Sequence, residues 1–176
     1  VFFFYFYTRK LSEAMEFTKL DQKISMLAWS PDGKNAAFTS EKEIVLFNYY
    51  SGKSETIVKA NDLFGPALIW MNDHELLFTA KSGILIVDTK TRNMVRLVSE
   101  ESGQPFAHAY IPSRKKLIYG INVIRNNGDF TTLIKEAELT NRKLVNPRTI
   151  MNVILGGEIN PTSTSDGRYL AFVAGP

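Results

Sequence analysis

Few residues in this sequence could carry acid–base or metal chemistry, and those few are dispersed. His74 and His108 are the only histidines, and cysteine is absent. A thiolate nucleophile, a disulfide framework and a thiolate metal site are therefore excluded, and two imidazoles fall short of a histidine-based zinc site. No Gly-x-Ser-x-Gly elbow occurs, so a serine-hydrolase centre cannot be completed from these residues. Leu155-Gly156-Gly157 lacks the lysine and the spacing of a phosphate loop. Glu100-Glu101 has no partners at metal-ligand spacing. Asp32, Asp73 and Asp166 suggest a carboxylate set, but they fall at one turn position of separate repeats, which predicts dispersal rather than convergence. Arg114-Lys115-Lys116 reads as a solvated hairpin. With 21 basic and 18 acidic residues the net charge is only +3, far from the basic stripe of a nucleic-acid binder. No catalytic residue, metal or cofactor is expected, and no nucleic-acid partner. The 44% apolar and 22% charged content of the 176 residues is that of a globular fold.

The elements that would carry these residues are set by an internal repeat. Ala28-Trp29-Ser30-Pro31-Asp32-Gly33-Lys34-Asn35-Ala36-Ala37-Phe38-Thr39-Ser40 reads as strand, tight turn, strand. Ile69-Trp70-Met71-Asn72-Asp73-His74-Glu75-Leu76-Leu77-Phe78-Thr79-Ala80 repeats it one residue shorter, which pairs Trp29 with Trp70, Asp32 with Asp73 and His74 with Gly33. Further copies lie at 109–119 and 161–173. The aromatic that ends the second strand recurs as Phe38, Phe78, Tyr119 and Phe172, at intervals of 40, 41 and 53, the last lengthened by a polar insertion over 122–129. The unbroken apolar runs Ile44-Val45-Leu46-Phe47 and Ile84-Leu85-Ile86-Val87 predict strands buried on both faces. Shorter polar strands follow each. Four short strands in about 40 residues is the pattern of a β-propeller blade. The expected class is all-β, a propeller of four-stranded antiparallel blades with about four repeats and an incomplete ring. In Pro31-Asp32-Gly33, Pro presets the first corner, Asp accepts backbone N–H groups and Gly takes the left-handed conformation. Asp166-Gly167 repeats this, and Trp29 and Trp70 are expected in the packed layer between blades.

At these residues the sequence resembles the TolB-like propellers, with their WD-like Trp-Ser-Pro-Asp-Gly-Lys and Phe-Thr-Ser repeat. The match is closest over Trp29–Ser40, good over 165–173 and degraded over 70–80 and 109–119. The resemblance implies a non-catalytic, cofactor-free scaffold whose loops bind a partner protein or small ligand. It implies a periplasmic or otherwise extracytoplasmic setting in the bacterial envelope or a secreted protein. It also admits an accessory propeller of a prolyl-oligopeptidase-type serine peptidase, or a small-ligand or sugar sensor.

Residues 1–20 read as half a blade or as the remnant of a membrane anchor. Val1–Tyr7 is wholly apolar or aromatic, which suits a strand or a membrane interface, and Leu11–Leu20 would be a helical stalk in the second case. Residues 21–62, 63–104 and 105–150 read as blades and 151–176 as a partial blade. The loops that lead into each blade and those between second and third strands share one face of a propeller. That face carries Phe64, Phe106, Arg125 and Asn126, the candidate partner-binding residues. Because no nucleophile–base pair can be assembled, the chain is expected not to hydrolyse peptide, ester or phosphate substrates. Turnover by purified protein that persists after joint substitution of His74 and His108 would contradict this.

Overall fold

In the computed structural model the chain is a succession of antiparallel four-stranded sheets stacked face to face. The structure describes residues 2–7, 14–20, 24–40, 42–61, 63–99, 103–124, 130–153, 162–164 and 166–171. Blade one comprises β3 (Met26–Trp29), β4 (Asn35–Thr39), β5 (Glu43–Asn48) and β6 (Ser54–Lys59). Blade two comprises β7 (Leu63–Trp70), β8 (Glu75–Ala80), β9 (Gly83–Asp88) and β10 (Met94–Ser99). Blade three comprises β11 (Gln104–Ile111), β12 (Lys116–Ile124), β13 (Phe130–Thr140) and β14 (Lys143–Val153). Each is hydrogen-bonded in sequence order. Before them β1 (Phe2–Tyr7) pairs with β2 (Ala14–Leu20), so a strand stands where the anchor reading placed a helical stalk. After them β15 (Thr162–Ser163) pairs with β16 (Leu170–Ala171). The first strands of successive blades lie side by side, β3 by β7, β7 by β11 and β11 by β15. This is the propeller arrangement. Helix among the described residues is limited to the 3-10 turn Pro112–Arg114.

The unbroken apolar runs become the central strands. Ile44, Val45, Leu46 and Phe47 of β5 are all buried, as are Leu76, Leu77 and Phe78 of β8. Neighbouring side chains of a strand point to opposite faces, so each blade has two apolar faces. Ala37, Ile44 and Leu46 of blade one pack with Leu68, Trp70 and Phe78 of blade two. Leu77, Ile84 and Ile86 pack on the opposite face with Leu117, Tyr119 and Ala137 of blade three. Ala109, Ile118 and Ile134 then meet Leu170.

The turns show how far the repeat is literal. In blade one Ser30 Oγ donates to Asp32 Oδ1 (2.7 Å), which also accepts the Lys34 N–H, and Gly33 sits at φ +69°. Thr164, Asp166, Arg168 and Gly167 (φ +65°) reproduce this bond for bond. Blade two corrects the expected pairing. Asn72 Oδ1, not Asp73, accepts the His74 and Glu75 N–H groups, at 3.0 and 2.9 Å. The His74 carbonyl takes the Thr89 N–H just as the Lys34 carbonyl takes that of Tyr49. His74 thus stands in the place of Lys34, and Asp73, exposed, in that of Gly33. The missing residue is the counterpart of Pro31.

Two further expectations change. β12 extends to Ile124, so Asn122, Val123 and Ile124 of the expected polar insertion are paired strand residues, and β14 continues to Val153, past the expected boundary at 150. The two tryptophans also differ. Trp70 is 7% exposed and its Nε1 donates to the Ala28 carbonyl across the blade junction at 3.0 Å. Trp29 is 40% exposed. It shares a face with Leu27, Ala36 and Phe38, while Met26 and Ala28 on the other face pack toward blade two. Its ring meets Tyr49 edge-on at 6.2 Å. Trp70→Ala should therefore cost about 3–5 kcal/mol, and Trp29→Ala clearly less. Chemical denaturation of both variants checks this, and equal losses would contradict the assignment.

Candidate functional site

In an antiparallel blade the turn after the first strand and the turn after the third lie at the same end. At that end a left-handed residue one or two positions before the fourth strand recurs as Gly52 (φ +66°), Arg92 (φ +65°) and Arg142 (φ +57°). Gly adopts this conformation freely, whereas a residue with Cβ is strained there by about 1–2 kcal/mol. Both arginines reach back to the preceding blade. Arg92 Nη2 lies 2.8 Å from Glu55 Oε2, and its Nη1 donates to the Thr56 carbonyl at 3.1 Å. Arg142 donates through Nε to Glu75 Oε1 at 2.5 Å and through Nη2 to Asp88 Oδ2 at 2.9 Å. Glu75 is steadied by Asn72 Nδ2, and Asp88 Oδ1 accepts the Lys90 and Thr91 N–H groups. The Thr91 N–H is the largest influence holding the Asp88 carboxyl down to about 2; burial opposes it, and the Lys90 N–H and Arg142 guanidinium add to it.

Beside this clamp, between blades two and three, lies a cavity of about 430 Å³. It is lined by Met71, Asn72 and Glu75 of blade two and by Tyr110, Lys115, Leu139, Asn141 and Arg142 of blade three. A departure from the repeat borders it. Trp70 pairs with Leu76 on the adjacent strand and Tyr110 with Leu117, so Tyr110 is the third-blade counterpart of Trp70. A smaller ring stands where the earlier junction is filled by indole. Burial, then the nearby Glu75, push the Tyr110 phenol up, which keeps it a neutral hydrogen-bond donor. Lys115 holds the left-handed conformation (φ +50°) that closes the 3-10 turn.

The residues expected to bind a partner are placed differently. Phe64 and Phe106 were expected in loops but lie within β7 and β11. Pairing slips between Leu63 and Leu68 and between Pro105 and Ala107, so both fall in bulged stretches, where the prolines Pro66 and Pro105 are tolerated. Arg125 and Asn126 lie outside the described residues. Phe64 and Phe106, near the starts of their strands, belong to the end of the blades opposite the cavity. The structure brings together none of Asp32, Asp73 and Asp166, and among the described residues no three metal-ligating side chains converge. Sequence reading missed the arginine clamp and the cavity, although Arg at the Gly52 position and Tyr at the Trp70 position were visible signals.

No protein-family model matches the sequence, and comparison with curated proteins finds no match. Solved structures do match. TolB from Acinetobacter baumannii aligns at 21% identity and TM-score 0.67 over 96% of this chain and 42% of its own. A chain of a nidogen/laminin complex aligns at 17% and 0.69 over 96% of this chain and 65% of its own. The tricorn protease aligns at 13% and 0.64 over 92% of this chain and 16% of its own. The fold is a β-propeller. This chain spans less than two thirds of each.

Asp88 has a folded-state pKa below its unfolded value. Its contribution to stability is fully present above the unfolded pKa near 4 and is lost as pH falls through about 2. Asp88→Asn should flatten the acid limb of the stability curve between those values. Arg142→Met should leave most of it, because the backbone N–H groups act without the guanidinium. Near-UV circular dichroism during acid titration distinguishes these results; loss of the limb in Arg142→Met alone would reverse the assignment.

Proposed function

We propose that the chain is part of a TolB-like propeller scaffold that binds a partner protein without catalysing a reaction, in an extracytoplasmic setting. The observation that carries the partner binding is β14. The outer strands of blades one and two are six residues long. β14 has eleven residues, ends its sheet, and exposes Val145, Ile150 and Met151. Asn146 (φ +52°) and Pro147 interrupt the edge, as natural edges are commonly blunted. Beyond them Arg148–Val153 continues the strand with a bulge at Ile150, long enough for an extended partner segment to add to the edge and meet the exposed apolar side chains. The Trp-Ser-Pro-Asp-Gly-Lys motif supports the family and the setting. The likeness to the tricorn protease favours the second reading, an accessory propeller of a peptidase.

A photo-cross-linking residue at position 150 should capture a discrete partner protein in the source cell, and one at the exposed Tyr50 should not. Absence of an adduct at 150, or the same adducts at both positions, would refute the proposal.

A further inference from the structure

We propose that the cavity between blades two and three is a binding site for a small carboxylate bearing a flat apolar group. The apolar part of the ligand lies against the apolar lining beside the Tyr110 ring. In the preceding junction Trp70 is buried and bonded to Ala28. Here Tyr110 is half-buried, and Met71 and Leu139 supply apolar wall. A cavity of about 430 Å³ is within the range of small-molecule sites.

The polar walls select the charge. Glu75 and Asp88 already hold Arg142, and Asn72 is engaged by Glu75 and two backbone N–H groups. Among the described residues the Lys115 ammonium, the Asn141 amide and the Tyr110 hydroxyl have no hydrogen-bond partner. All three carry N–H or O–H donors and Lys115 is cationic, so the unsatisfied capacity favours an anion. Lys115 supplies the charge, and Tyr110 and Asn141 supply direction. A cationic ligand would find the carboxylates already occupied. This site lies at the end of the blades opposite Phe64 and Phe106 and does not depend on the partner-binding reading.

The test is titration of the isotopically labelled full chain with indole-3-propionate, followed by amide chemical shifts. Saturable shifts are expected at residues 71–75 and 139–142, with a dissociation constant in the millimolar range or tighter. The uncharged indole-3-propionamide should bind at least about tenfold more weakly, the loss expected of one charge-assisted contact. Lys115→Met should weaken the acid but not the amide. Tyr110→Trp should narrow the cavity, weaken binding of both and retain the native spectrum elsewhere. Equal affinity for acid and amide, undiminished binding by Tyr110→Trp, or absence of saturable shifts at about 10 mM acid would overturn the proposal.

Discussion

A four-stranded blade of this chain cannot stand alone, because its central strands are apolar on both faces. Ile44 and Leu46 look one way along β5, Val45 and Phe47 the other, and all four are buried. A sheet with two such faces requires a neighbour on each, which is why stability in repeat folds is a sum of unit and junction contributions. The junction between blades one and two shows the full device. The Trp70 ring occupies the shared core, and its Nε1 satisfies the Ala28 carbonyl of the blade before. One residue thereby supplies apolar burial and a directional bond that fixes how one sheet sits on the next. The same demand acts on the other face of blade one, where Leu27 and Trp29 are still about 40% exposed.

Departures from the repeat concentrate where the chain gains capacity to do something other than stack. The turn of blade one recurs almost bond for bond at Thr164–Tyr169, so it is scaffold. Tyr110 in place of a tryptophan borders the cavity at its junction and brings a hydroxyl there. Arginine in place of Gly52 converts a strained turn position into a tether. An eleven-residue outer strand in place of a six-residue one leaves apolar side chains in water. All three changes meet in blade three, whose hairpin β13–β14 turns through Asn141 and Arg142.

The sequence made the blade legible because a period of about 40 residues repeats residues with strong local physics: Pro, Gly and a capping carboxylate at a turn, and aromatics at strand ends. It located strands β4, β5, β8 and β9 well, since an unbroken apolar run allows few other placements. It misplaced Asp73 because residue type was matched instead of acceptor position. An acceptor two residues before the N–H it serves can be Asn as readily as Asp, and Asn72 has that role. It placed Phe64 and Phe106 in the loops leading into their blades, whereas the first strands begin earlier and bulges absorb Pro66 and Pro105 within them. The cavity was not legible from any single residue. It depends on what faces Tyr110 across a junction, which the one-dimensional pattern does not contain.

Arg92 and Arg142 occupy equivalent strained positions, but their surroundings give them different weight. The left-handed backbone costs each about 1–2 kcal/mol relative to glycine. Arg92 meets Glu55, a carboxylate more than half exposed, and exposed pairs contribute about 0–1 kcal/mol. Arg142 meets two carboxylates whose side chains are 14% and 11% exposed, each already oriented by other donors. Little entropy remains to be lost there, and the charge is less screened. Arg142 is therefore the tether that returns more than its conformation costs. It also lines the cavity and, with Asn141, forms the turn from which β14 departs. A group bound beside it would act on the hold between blades two and three and on the start of the exposed strand through the same two residues, without any rearrangement of the blade cores.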